Sequence, residues 1–213
     1  MKSYRQTCTA AKALDVLGDR WTLLILRELV MQAPCRYTDV ANGLPGIASN
    51  LLSDRLRTLE EHGLVRREAA PPPIATTLFH LTEKGAATEP ILAELATWGT
   101  RYAFDIEPED EFREYWMPFA VSVFLRDHDR DAPPVTVQLV TPVGSSVVEV
   151  DTAGVHARGG TVESPDLTLG GMPPVILRFL SGVLTLAEAQ AEGMTLDGDL
   201  AVLDSFHLAT ARR

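Results

Sequence analysis

Tyr37-Thr-Asp-Val-Ala-Asn-Gly43, then Ile47-Ala-Ser-Asn-Leu-Leu-Ser-Asp-Arg-Leu-Arg-Thr-Leu-Glu-Glu-His-Gly-Leu-Val-Arg-Arg67, then Leu78-Phe-His-Leu-Thr82 is the stretch whose reading decides the fold. At about 100° per residue, Ala48, Leu52, Leu56 and Leu59 share one narrow arc, which predicts a helix over 49–62 with that arc buried. The opposite arc carries Ser49, Asn50, Ser53, Asp54, Arg57 and Glu61. A shorter helix over 38–43 precedes it, and two short β segments follow. Helix, turn, helix and β-hairpin in that order describe a winged helix-turn-helix, whose second helix commonly enters a DNA major groove.

The residue types on the outward arc suit that task. Arginine and asparagine make bidentate contacts to guanine and adenine, and serine is permissive. Ser49, Asn50, Ser53 and Arg57 are therefore the expected base contacts, with Tyr37 and Arg55 on the flanks. Arg55 lies beside the buried arc, which suits a phosphate or an acidic partner within the domain. Asp54 would be repelled by phosphate, but it can orient Arg57. Ser49 is expected to cap the helix in place of Ala48.

Working outward, residues 10–17 predict a helix with Ala10, Ala13, Leu14 and Leu17 on one side. Gly18 ends it. Asp19 is expected to cap a second helix with Trp21, Leu24, Ile25 and Leu29 as core, ending before Pro34. After His62-Gly63, a helix C-terminus, come Leu64–Glu68 and Leu78–Leu81 as hairpin strands. Pro71, Pro72 and Pro73 between them exclude regular pairing and mark a wing tip. Arg66, Arg67, Thr76 and Thr77 are the expected backbone contacts there.

The chain has 213 residues, 46% of them hydrophobic, with a net charge of −10, so one or two domains can each bury a core. The charge is uneven. Residues 1–104 carry 12 Lys/Arg against 11 Asp/Glu, a balance of +1, and residues 105–213 carry 7 against 18, a balance of −11. The DNA-facing half thus escapes the acidity, and local clusters of arginine are what phosphate neutralisation needs. No secretory signal or bilayer-length apolar run is present, which predicts a cytoplasmic protein without a membrane partner. Cys8 and Cys35 are too few for a disulfide framework or a metal motif. No phosphate loop, metal-ligand spacing or nucleophile elbow occurs, so no enzyme activity and no cofactor is expected.

Taken together, Cys8–Leu29, Arg36-Tyr37, Leu52–Val65, Leu81-Thr-Glu-Lys-Gly85 and Trp98-Gly99 resemble the HxlR family of bacterial transcriptional regulators. The resemblance covers residues 5–104. It implies a winged-helix homodimer in which the N-terminal helix and a C-terminal helix, here Thr82–Phe104 with Ile91, Leu92, Leu95, Trp98 and Tyr102, form the dimer contact. Two-fold symmetry then implies a pseudo-palindromic double-stranded DNA operator. Some members of the family sense oxidants through a cysteine near Cys8, and a thiol at a helix N-terminus has a lowered pKa. The alternative for Cys8 is a structural residue at the dimer contact. Cys35 is expected to be structural.

An acidic run over 105–112 reads as a linker. Beyond it, Phe112, Trp116, Phe119 and Val123 repeat at helical spacing. Alternation over 135–140, 146–150, 154–158 and 166–169 predicts antiparallel strands. A helix from Pro173 stops at Ser181-Gly182, Thr185 and Glu188 form a capping box, Met194–Leu196 forms a short strand, and a last helix is expected over 199–209. This order, with Ser164–Leu177, Leu180-Ser-Gly182, Ala187–Gly193 and Gly198–Leu203, is similar to a sterol carrier protein domain. That similarity implies an α+β domain holding a hydrophobic small molecule. Its lining would come from Trp116, Phe119 and Val123, from Leu139 and Val148, from Ile176, Phe179 and Leu180, and from Met194 and Phe206. Each is equally suited to plain core, and His156 or His207 would supply a polar contact.

The expected architecture is α+β: a winged helix-turn-helix over 1–104, a linker over 105–112 and a sterol-carrier-like domain over 113–213. The expected function is a dimeric DNA-binding regulator, a repressor, modulated by a hydrophobic effector in the second domain. Two alternatives remain open: a hydrophobic-ligand carrier using the first half only to dimerise, and a redox-responsive regulator sensing through Cys8.

Overall fold

The computed structural model describes residues 3–71, 75–103, 106–107, 110–126, 128–129 and 131–206. It divides into two compact units, Met1–Leu92 and Ala93–Arg213.

The first unit runs α1 (Thr9–Leu17), α2 (Thr22–Gln32), β1 (Cys35–Arg36), α3 (Tyr37–Asn42), α4 (Ser49–Glu61), β2 (Val65–Ala69), β3 (Thr77–Leu81) and α5 (Glu83–Ala86). Ile25, Leu26 and Leu29 of α2, Val40 of α3, and Leu52, Leu56 and Leu59 of α4 are buried together with Val65 and Phe79 of the wing. Helix α4 ends where His62 closes it and Gly63 turns with φ +71°, a conformation glycine adopts without strain. Lys84 Nζ then donates to the carbonyl of His62 at 2.7 Å, tying the helix end to the base of the wing.

Several expectations change here. Ala48 is exposed rather than buried, and it is the N-cap of α4 with no side-chain cap bond, so Ser49 is simply the first helical residue. Asp19 does not cap α2, whose N-cap is Trp21; its carboxylate is ion-paired with Arg55 instead. Leu24, Ala10, Ala13 and Leu14 are exposed, leaving Ala11 and Leu17 as the buried residues of α1. The wing has a third, two-residue strand, β1, pairing antiparallel with β3 through Cys35↔Phe79 and Arg36↔Leu78. The expected continuous helix from Thr82 is broken into α5 and α6 (Glu89–Tyr102). Thr82 caps α5 by accepting from the Gly85 N–H, and Pro90, which has no N–H to donate, falls in the first turn of α6, where none is needed. Phe104, the expected end of that helix, lies outside the described residues.

The second unit contains α7 (Trp116–Phe124), β4 (Val135–Thr141), β5 (Gly144–Asp151), β6 (Gly154–Gly159), β7 (Leu167–Gly170), α8 (Pro173–Leu180), α9 (Leu186–Ala191), β8 (Thr195–Gly198) and α10 (Val202–Ser205). One five-stranded sheet has the order β6-β5-β4-β7-β8. Its pairs are antiparallel as expected except β4·β7, which is parallel. The reason is topological. β4, β5 and β6 form a meander to one edge, and the chain returns past β4 before laying down β7. Gln138, in the middle of β4, holds this return: its Nε2 donates to Gly160 O at 3.2 Å and Ser146 O at 3.0 Å, and its Oε1 accepts from Val162 N at 3.0 Å. A buried amide is tolerable because its donors and its acceptor are satisfied.

Val137, Leu139, Val148, Leu167 and Leu169 of the sheet pack with Ile176, Phe179 and Leu180 of α8. The Thr185–Glu188 capping box is present, and its N–H and O–H donors from Thr185 hold the Glu188 carboxyl below its ordinary range. Phe112, inside the expected linker, packs against this core. The last helix is described only over Val202–Ser205; its expected remainder and His207 lie outside the described residues.

Candidate nucleic-acid interface

The buried arc of α4 rests on the unit's core, so its opposite face is turned to solvent. Ser49, Asn50, Ser53, Asp54 and Arg57 are all exposed along it. Asn50 Oδ1 accepts from the Leu51 N–H at 2.9 Å, a bond that does not use the two donors of the exposed side chain's NH2. Tyr37, the first residue of α3, is half-buried and donates its hydroxyl to Ser49 O at 2.8 Å, while its hydroxyl oxygen accepts from Ser53 Oγ at 3.5 Å. Tyr37 thus joins the two helices of the motif at the start of α4.

Each arginine of the expected interface is ion-paired within the unit. Arg57 Nη2 meets Asp54 Oδ1 at 2.7 Å, with Glu61 at 3.9 Å from Nε. Arg66 pairs with Glu68, and Arg67 pairs with Glu60 at 2.7 Å while lying 5.7 Å over the Phe79 ring. Burial decides which of these can be exchanged for phosphate. Exposed pairs are worth about 0–1 kcal/mol, whereas a charge-assisted hydrogen bond to DNA is stronger. Arg57 and Asp54 have side chains 60% and 59% exposed, so little opposes exchange. Arg55 and Asp19 are only 26% and 29% exposed, so their pair, which joins α4 to the turn between α1 and α2, is the costliest to break. Arg66 and its wing neighbour Arg67 stand on β2, and Thr77 on β3 faces Ala69. Thr76 O accepts from Ala70 N at 2.8 Å, closing the described base of the wing tip. Pro72, Pro73 and Ile74 of the tip lie outside the described residues.

The two cysteines differ in chemistry. Cys8 is exposed at the N-cap of α1, and hydrogen bonds from the Ala11 and Ala10 N–H groups lower its thiol pKa. Cys35 is buried in β1, and burial, aided by Asp39 and Glu28, pushes its thiol up to about 12.

In the second unit the residues expected to line an apolar cavity go largely to packing. Leu139, Val148, Ile176, Phe179, Leu180, Met194 and Phe206 belong to one contiguous buried cluster. Val123 is buried too, while Trp116 and Phe119 are half-buried. Among the described residues no group of three or more His, Cys, Asp or Glu side chains is placed to hold a metal ion. No helix of the described residues is long and apolar enough to cross a membrane.

The HxlR-like helix-turn-helix family model matches residues 16–107. YvaP, an uncharacterised HTH-type transcriptional regulator of Bacillus subtilis (strain 168), is 36% identical over 91 residues, 43% of this chain and 83% of YvaP. The HTH-type transcriptional regulator YodB of the same organism is 33% identical over 98 residues, 46% of this chain and 84% of YodB. The solved reduced form of YodB aligns with 49% of this chain and 100% of its own, at 31% identity and a TM-score of 0.41. YodB is also solved diamide-treated and quinone-bound, each at a TM-score of 0.38.

Proposed function

The chain belongs to the HxlR-like helix-turn-helix family of transcriptional regulators, and from that premise we propose that it is a repressor that binds a pseudo-palindromic operator as a homodimer. It is a regulator rather than an enzyme, as its relatives are. The observation that carries the DNA reading is the face of α4: Asn50, Ser53 and Arg57 exposed in line, on a helix whose other side is fully buried. In this reading Arg57, oriented by Asp54, reads a base, and Arg66 and Arg67 meet phosphates.

The homodimer is supported by α6. Ile91, Leu95, Trp98 and Tyr102 recur at helical spacing yet remain exposed, Trp98 at 58% and Tyr102 at 66%. Leu14 and Tyr4 near α1 are likewise uncovered. An apolar stripe of this length in water favours a partner surface. The part of the second unit over residues 113–213 is the sterol-carrier-like sensor of an apolar effector, supported by its single sheet with helices packed on a common core. Effector and operator are then coupled through differential affinity for two states.

The test is binding of the full chain to the DNA upstream of its own coding region, titrated at several salt concentrations against unrelated competitor, with the oligomeric state measured by light scattering. Competitor-resistant binding by a dimer, with a steep salt slope, is the expected result. A monomer, or affinity equal to that for competitor, overturns the reading in favour of a carrier. A second reading, redox control through Cys8, is favoured by the exposed thiol with its lowered pKa at the N-cap of α1, and by the relative YodB, solved in reduced and diamide-treated forms. It predicts that diamide changes operator affinity and that Cys8→Ser abolishes the change.

A further inference from the structure

We propose that a groove at the open edge of the second unit's sheet binds a small zwitterion with an apolar side chain, the class to which the apolar α-amino acids belong. The proposal rests on reading the second unit as a ligand-binding module, and it places the ligand outside the core rather than within it. The groove has a volume of about 320 Å³ and lies where α7 passes β6, a size at the small end of ligand pockets. Pro118 and Phe119 of α7, with Val155 and Ala157 of β6, form its apolar part. Among the described residues β6 is the last strand of the sheet and pairs with β5 on one side only, so the groove opens along a free strand edge. Val155 and Ala157 stay half-buried although they pack against the core.

The polar part wraps around the same edge. Successive side chains of a strand alternate faces, so Arg158 leaves β6 on the side opposite Ala157. Glu149 is directly paired with His156 in the β5·β6 ladder and therefore shares that side. Arg158 Nη2 meets Glu149 Oε1 at 3.4 Å, a long contact between side chains 54% and 49% exposed. Among the described residues this is the one hydrogen bond the guanidinium makes, so most of its five donors are free for a ligand. His156, which also lines the groove, has its Nε2 4.0 Å from Asp151 Oδ1.

Charge selects the ligand. Residues 105–213 carry a balance of −11, a field that repels anions. Arg158 at the rim repels cations. A head group with a carboxylate for Arg158 and an ammonium for Glu149 satisfies both, crosses the acidic field with no net charge and displaces only an exposed ion pair, which contributes little. The apolar side chain then lies on Phe119 and Pro118, and the unpaired backbone edge of β6 supplies further hydrogen-bonding groups.

Calorimetry of the full chain tests this without DNA, so its outcome is independent of operator binding. The probes are L-phenylalanine and L-leucine, with phenylacetate and phenethylamine as the matched anion and cation. Saturable one-to-one binding of the amino acids, at least tenfold tighter than of either matched ion, is expected. Arg158→Glu and Glu149→Arg should each weaken L-phenylalanine at least tenfold, and the double exchange should recover part of the loss. Phe119→Ala should weaken L-phenylalanine with the charge pair intact. Absence of amino-acid binding, equal affinity for zwitterion, anion and cation, or single charge variants that bind like the parent chain would each overturn the proposal.

Discussion

Helices α4 and α8 divide their residues in opposite ways. In α4, thirteen residues bury Leu52, Leu56 and Leu59 and leave a polar face uncovered. In α8, eight residues bury Pro173, Val175, Ile176, Leu177, Phe179 and Leu180. A helix that rests on one core with one face has another face free to recognise something. A helix buried nearly all round is committed to packing, and its residue types say nothing further. The same contrast separates Asn50 and Arg57 from Ile176 and Phe179, and it explains why the residues proposed to face DNA stand apart in the sequence while a ligand site does not.

The largest expected effect sets Cys8 against Cys35. With the Cys35 thiol pushed up to about 12, roughly one molecule in ten thousand carries its thiolate at pH 8. Alkylation of the native protein at pH 8, followed by mass spectrometry, should therefore label Cys8 and spare Cys35 by several orders of magnitude. Comparable labelling of both would break the distinction. Next comes packing: Ile176→Ala and Leu56→Ala, each removing a side chain at most 1% exposed, should each cost about 2–5 kcal/mol in denaturant titration. Ser53→Ala on the free face should change stability by less than about 0.5 kcal/mol. If Ser53 proves as costly as Leu56, α4 has no free face.

Smaller still are the effects on DNA, which sharpen the contrast within α4. Arg57→Ala should lose about 1–3 kcal/mol of discrimination at one operator position, read from a panel of single-base variants. Arg66→Ala should weaken all sequences alike and reduce the salt slope by about one. Loss of base preference in Arg66→Ala, with none in Arg57→Ala, would reverse their roles. On base preference the smallest effect is that of Arg55→Ala, which should leave it unchanged while lowering stability by about 1 kcal/mol through loss of the Asp19 pair. A changed preference would place Arg55 at the bases after all.

The helical periods over α2, α3 and α4, the glycine after α4, the capping box at Thr185 and every strand of the second unit could be read from sequence, because each is a local signal. The non-local pairings could not. Nothing adjacent to Arg55 or Asp19 announces that they meet across 36 positions, and two residues are too few for β1 to show a period. The direction of β7 depends on where the chain re-enters the sheet, which alternation does not encode. Leu14 and Leu24 illustrate a different gap. Their spacing matches that of core residues, and only the fold reveals that they stay exposed among the described residues.

The return of the chain past β4 also has a consequence for the order of events in folding. The β4-β5-β6 meander needs only the turns at 142–143 and 152–153, contacts close in sequence that form early. The β4·β7 ladder and the amide bridge from Gln138 to Gly160 and Val162 need a preformed meander to dock on. The second unit is therefore expected to acquire its left edge before its right, so that in pulse-labelled hydrogen exchange amides of β5 and β6 gain protection ahead of those in β7 and β8. Simultaneous protection of all five strands would mean that the sheet assembles as a single step.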